Sequence, residues 1–304
     1  MKNISVFRHL PDGRGCVAFP YHISLEGMER LVLCRDESDY DVFVKVIAVS
    51  VRRKNAIVVT YVVMSNHCHV VVLAESFDVA MAAGAEIKRI YSMYFGRKYG
   101  LRETMAASDV NVQLVNSASY VRNVLAYNAR NIMDIGLNPD EYKWTGHRAM
   151  FKRTNAQMPG RKVSELTTRE SVKIMHTNMS LVDTGWVLNE DEELVPESFC
   201  DKAYFEAAFN GNLAYYCKCV GMVNVGEVQY KLIEAPRTGI SDSEFLKSIN
   251  EISARWFEKD IMSLSIYQKS RLLPYVYHTM KTSIPQLARC FGLSREEVRR
   301  MLRK

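Results

Sequence analysis

What the 304-residue chain lacks narrows its reading first. No apolar run approaches the ~18 residues that a membrane span needs. The N-terminus has no apolar segment of the kind that opens a secretory signal. The expectation is a soluble, cytoplasmic protein without a membrane partner. Seven cysteines, at positions 16, 34, 68, 200, 217, 219 and 290, are odd in number and lack zinc-ribbon spacing. The one close pair, Cys217-Lys218-Cys219, has no second pair to complete four ligands. Reduced thiols therefore fit better than a structural zinc. The chain shows no internal repeat and no low-complexity tract.

An excess of one charge sign is absent over most of the sequence. There are 40 Lys and Arg against 34 Asp and Glu, a net of +6, too mild to imply a nucleic-acid partner alone. The distribution is more telling. From Ile261 to the C-terminus there are nine basic and two acidic residues, a net of +7, so the remainder is about neutral. That end is composed to meet phosphate. A hydrophobic content of 48% over this length is enough for two ordinary domains.

Val17 to Leu25 alternates loosely and reads as a strand containing Tyr21 and His22. Ser38 to Val51 carries Phe43, Val44, Ile47 and Val51 at helical spacing. Ala56 to Met64 and His69 to Leu73 read as strands joined by a polar Ser65-Asn66 turn. Val79 to Tyr99 reads as a long helix ended by Gly100. Val112 to Leu114 reads as a further short strand, and Ser117 caps a helix running through Asn131. Composition shifts after Met150, and Pro159-Gly160 marks a linker. Beyond Ser198 the pattern is helical. Thr282-Ser283 caps Ile284 to Phe291, Gly292 to Ser294 turns, and Arg295 to Arg303 follows, a helix-turn-helix pattern.

The densest chemistry lies in Tyr61-Val62-Val63-Met64-Ser65-Asn66-His67-Cys68-His69-Val70-Val71-Val72-Leu73. On a strand His67 and His69 share a face and Cys68 points away, so both imidazoles can reach one cation. A lone strand histidine is usually a satisfied core or surface residue; two at this spacing beside a turn point to a metal. Tyr127 and Asn131, four apart, are neighbours on one helix surface. Either alone reads as an ordinary packed tyrosine or helix-end asparagine. The helix bearing Lys88, Arg89, Tyr91, Arg97 and Lys98 interleaves cations with rings, a pattern for single-stranded nucleic acid, though an ordinary amphipathic helix shares it. Arg295, Arg299, Arg300 and Arg303 form a second candidate DNA-binding set.

Taken in order, Tyr21-His22, the histidine-bearing strand, Arg97-Lys98-Tyr99-Gly100, Tyr120 with Tyr127, Asn131, Gly136 and Leu137, then Tyr142-Lys143-Trp144 and Arg148 resemble the HUH-class tyrosine transposases. These are the small insertion-sequence and REP-associated enzymes, and the resemblance spans roughly Val17 to Met150. It implies an α+β fold with a ferredoxin-like antiparallel sheet and helices, the HUH nuclease core, over 1–150. A linker with short helices would follow over 151–197. A mainly helical DNA-binding region would occupy 198–304, with its helix-turn-helix at about 267–304.

Carried over by position, the resemblance makes His67 and His69 metal ligands, Asn131 the third ligand and Tyr127 the nucleophile. It implies cleavage and rejoining of single-stranded, hairpin-associated DNA through a 5′-phosphotyrosine, with Mg2+ or Mn2+ as cofactor. Histidine and amide ligands with open positions suit those ions, although imidazoles also accept zinc. A homodimer that exchanges the tyrosine helix and a nucleoid-associated location are further expectations. The sequence departs from the family pattern at Asn131-Ile132-Met133, where a proline is usual. It departs again at Met105 to Asn111, which lacks the usual aromatic and arginine residues. Two other readings stay open: a domesticated, catalytically weak DNA-binding regulator, and a histidine-ligated hydrolase unrelated to DNA.

Overall fold

The computed structural model describes residues 4–26, 32–100, 109–152, 160–222, 241–280 and 282–302. Strand β1 (Val6–His9) turns back into β2 (Gly15–Glu26), followed by α1 (Glu37–Arg53), β3 (Ile57–Val63) and β4 (Cys68–Ala74). Helix α2 (Phe77–Tyr99), β5 (Asp109–Leu114) and α3 (Ala118–Asp134) complete the first part. The strands pair antiparallel, with β3 beside β4, β4 beside β2, and both β1 and β5 on β2. From β2 onward the order is strand, helix, two strands, helix, strand.

Local sequence explains these elements. Asp36 and Asp39 form a reciprocal capping box at the start of α1. Gly100 closes α2 in the left-handed conformation, which a residue without Cβ adopts freely. The sheet is built of β-branched residues whose faces divide cleanly. Ser24 of β2 lies opposite His69 of β4, and His22 lies opposite both Val71 and Gln113. Paired residues share a face, so His22, Ser24, His69 and Gln113 lie on one side. Ile23, Leu25, Cys68, Val70 and Val112 lie on the other, and all are buried. Helix α2 covers that apolar side closely. A Cβ at Gly84 would stand 2.7 Å from Val110 Cγ1 and 3.0 Å from Ile23 Cγ2. Phe43 of α1 stacks on Tyr91 of α2 with ring centres 3.9 Å apart.

The chain after Met150 does not behave as a linker. Helices α4 (Thr168–Ile174), α5 (Lys202–Ala208) and α6 (Leu213–Met222) follow. Trp186, Leu188, Phe199, Tyr204, Phe205, Phe209 and Tyr216 all join the same core as the sheet. Among the described residues a separate core forms from α7 (Asp242–Phe257), α8 (Ile266–Thr279), α9 (Ile284–Phe291) and α10 (Arg295–Leu302), together with Val32, Ile261, Leu264 and Leu293. The division expected near 150 therefore falls between α6 and α7. Large aromatic residues at 199–216 find burial against β3 and α3 that a polar linker could not have offered. Gly292 ends α9 in the left-handed conformation, and α10 starts three residues later, as the sequence spacing predicts. No described helix is long and apolar enough to cross a membrane.

Glu86 of α2 ties this layer together. Arg53 of α1 donates to it at 2.7 Å and Arg89 at 2.9 Å, while Arg53 also donates to Thr177 at 2.9 Å. The hydrogen bonds from Arg89, with those from Arg53, hold the Glu86 carboxyl down at about 2. A carboxylate depressed in the folded state stabilises the fold above its unfolded pKa, and that contribution fades as pH falls through the folded value. Arg89 is half exposed, so water screens part of the pair. Glu86→Gln is expected to cost about 2 kcal/mol at neutral pH. It should also flatten the acid side of the stability curve between roughly pH 4.5 and 2. Urea melts across that range check this, and curves of equal slope in both proteins would contradict it.

Candidate active site

The histidine side of the sheet is where α3 lies. Ser117 caps α3 by accepting from the Tyr120 N–H, and Val121, Val124 and Leu125 pack inward. This seats Tyr127 over His69, with ring centres 5.2 Å apart and nearly perpendicular. Tyr127 stays 39% exposed, so the phenol covers an imidazole on one side and meets solvent on the other. The rings of His67 and His69 stand 5.1 Å apart. Cys68 is buried on the opposite face against α2's side of the sheet, and burial pushes its thiol up, so it is not a ligand candidate.

A third imidazole belongs to this cluster. His22 Nε2 and His69 Nδ1 lie 3.1 Å apart, one carrying the shared proton. The bond fixes the orientation of the His69 ring. Burial, reinforced by His67 and His22, holds the His69 imidazole well below its ordinary range. It is therefore neutral at physiological pH, the state in which imidazole donates a lone pair. The sequence pattern assigns His22 no role. Its alternation was legible, but the pairing that sets it two residues from Ser24's partner is a long-range fact. On β5, beside His22, Gln113 accepts a 2.6 Å hydrogen bond from the Tyr120 hydroxyl of α3.

Asn131 is buried one turn beyond Tyr127, and its amide donates to the Tyr127 carbonyl at 2.9 Å. Its hydrogen bond runs along α3 and not to an imidazole. Among the described residues no group of three His, Cys, Asp or Glu is placed to hold a metal. The imidazoles brought side by side are those of His67 and His69, a donor type that suits a divalent ion with water or phosphate oxygen in its other positions. Asn128, beside Tyr127 in sequence, is buried with both amide atoms unbonded among the described residues.

The turn carrying His67 is held from two directions. Asn66 Oδ1 lies 2.9 Å from His67 Nδ1. The Ser65 hydroxyl donates to Asp242 Oδ2, at the start of α7. Arg289 of α9 grips the same carboxylate through Nε at 2.5 Å and Nη2 at 2.9 Å. The second core is thus latched to the histidine turn through a buried ion pair.

Several of the candidate groups on α2 have partners within the fold. Tyr91 is 0% exposed, with its hydroxyl donated to the Leu33 carbonyl at 3.0 Å, so its ring offers no stacking surface. Lys98 is bound by Asp36 at 2.8 Å and Asp39 at 2.7 Å, and Arg89 by Glu86. Lys88 is half-buried. Arg97 remains exposed and, with Arg89 and Lys98, lines a groove of about 620 Å3. This helix lies on the sheet side away from the histidines. On α10, Arg295, Arg299 and Arg300 are exposed, while Arg303 lies outside the described residues. Comparison with protein-family models, with curated proteins and with solved structures finds no match to this chain.

Breaking a buried pair by removing one partner leaves an uncompensated charge. Asp242→Ala is expected to lower stability by about 3 kcal/mol and to speed amide exchange at Ser65 to His67. Hydrogen exchange read by mass spectrometry checks this. Unchanged protection in that turn would show that β3 and β4 hold it alone.

Proposed function

We propose that the chain is a metal-dependent tyrosine transposase or nickase that cuts and rejoins single-stranded DNA. The observation that carries this reading is the seating of Tyr127 over His69, within one chain, beside His67. The strand order and the strand–helix–strand–strand–helix–strand succession support a ferredoxin-like core of the HUH type. Because Tyr127 reaches the histidines of its own chain, the geometry needs no second copy.

A divalent ion, Mg2+ or Mn2+, held by His67 and His69 would polarise the scissile phosphate and favour the leaving oxygen. The chain's own groups do the rest. Tyr127 loses its hydroxyl proton and its oxygen bonds to phosphorus. The bond to the 3′ oxygen breaks, and that oxygen takes up a proton as a free hydroxyl. The phosphotyrosine keeps the bond energy, so reversal by another 3′-hydroxyl needs no nucleotide cofactor. His22 keeps His69 in one orientation, and burial keeps His69 neutral. Asn131, whose amide is turned along α3, would complete the ligand set by rotating its side chain.

That same turn of Asn131 favours a second reading, a relative that binds DNA without cutting it. Incubation with labelled single-stranded hairpin DNA and Mn2+ separates the two. The transposase reading expects a denaturant-resistant protein–DNA adduct, abolished in Tyr127→Phe and reduced at least a hundredfold in His67→Ala. A mobility shift without any adduct would favour the binding protein.

A further inference from the structure

On α2 the ring of Tyr91 is buried and Arg89 and Lys98 are ion-paired, yet exposed rings and unpaired cations stand together elsewhere. On α8, Tyr267, Arg271 and Tyr275 follow one another at intervals of four, so they line one face with about 6 Å between successive positions. Tyr267 is 69% exposed and Tyr275 43%. Trp256, at the end of α7, is 44% exposed and stands beside Tyr275 with ring centres 4.9 Å apart. Arg255 and Arg271 are exposed, and neither has an ion-pair partner among the described residues. Helix α8 contains no acidic residue.

Exposed aromatic rings are costly to leave in water unless something covers them. Here the covering partner must also satisfy unpaired guanidinium groups set between the rings. An apolar protein surface would leave those cations desolvated and unpaired. A polyanion whose own flat groups stack meets both demands, with phosphates on the arginines and bases on the rings. We propose that the exposed face of α8, with Trp256 and Arg255 of α7, is a stacking platform for single-stranded DNA. This rests on the reading of the protein as acting on such DNA, and it assigns the strand to the second core and not to α2. The Ser65–Asp242–Arg289 contact joins that core to the turn that carries His67.

Trp144 and Trp186 are buried, so Trp256 dominates any solvent-accessible indole signal. The experiment titrates the full chain with oligothymidylate at low salt, without metal, and follows tryptophan fluorescence and fluorescence anisotropy of labelled strand. The platform predicts quenching on binding. Tyr267→Ala and Tyr275→Ala should each weaken binding about tenfold. Arg271→Ala should weaken it less at high salt than at low salt, with a salt dependence shallower by about one counterion. Circular dichroism confirms that these surface variants fold. Tyr127→Phe should quench and bind as the wild type does while forming no adduct, which separates this proposal from the cutting reaction. Binding unchanged in all three platform variants overturns the proposal, even if the adduct forms. So does concentration-dependent self-association through Trp256 that oligothymidylate fails to displace, since a second copy would then be the true occupant.

Discussion

An imidazole buried in the middle of a sheet face is stable only if it stays neutral and its ring nitrogens are satisfied. His69 is held by the hydrogen bond it shares with His22 on the neighbouring strand and by the phenol ring laid over it. The architecture follows from this requirement. Strand β4 must be central so that β2 can supply His22, and α3 must cross this face so that Tyr127 can cover the ring. The opposite face must carry its apolar residues to α2, which Gly84 admits to close range. A slip of one residue between β2 and β4 would send His69 into that apolar layer and undo both faces at once.

The latch at Asp242 extends the same constraint outward. Ser65 precedes His67 by two residues, and its hydroxyl is held by a carboxylate that Arg289 neutralises. Two cores are therefore coupled at the one turn where the site needs precision. Charge on the surface is divided in a corresponding way. In the first core Arg53 and Lys98 bind α1 to α2, and Arg89 pairs with Glu86 within α2. In the second core the exposed arginines on α8 and α10 face solvent.

Much of this was legible in local pattern. Period-two alternation put Cys68 and His69 on opposite faces, because that depends on nothing beyond the strand itself, and the turn residue His67 falls beside His69. Ser117 as the cap of α3 and the limits of α9 were readable from capping and turn residues. Three things were not. His22 needed the β2–β4 register, a long-range choice. The pairing of Lys98 depends on Asp36 and Asp39, some sixty residues away in sequence, and was invisible in the local pattern of α2. The aromatic residues from Phe199 to Tyr216 gave no sign of which core would bury them, and the domain division moved accordingly.

The central claim is that two imidazoles hold one divalent ion beside the Tyr127 phenol. Pulsed electron paramagnetic resonance of the protein loaded with Mn2+ tests it most directly. Nitrogen couplings from two imidazoles, falling to one in His67→Ala and vanishing when His69 is also replaced, are the result the account predicts. A manganese spectrum with no imidazole nitrogen coupling in the wild-type protein would contradict it.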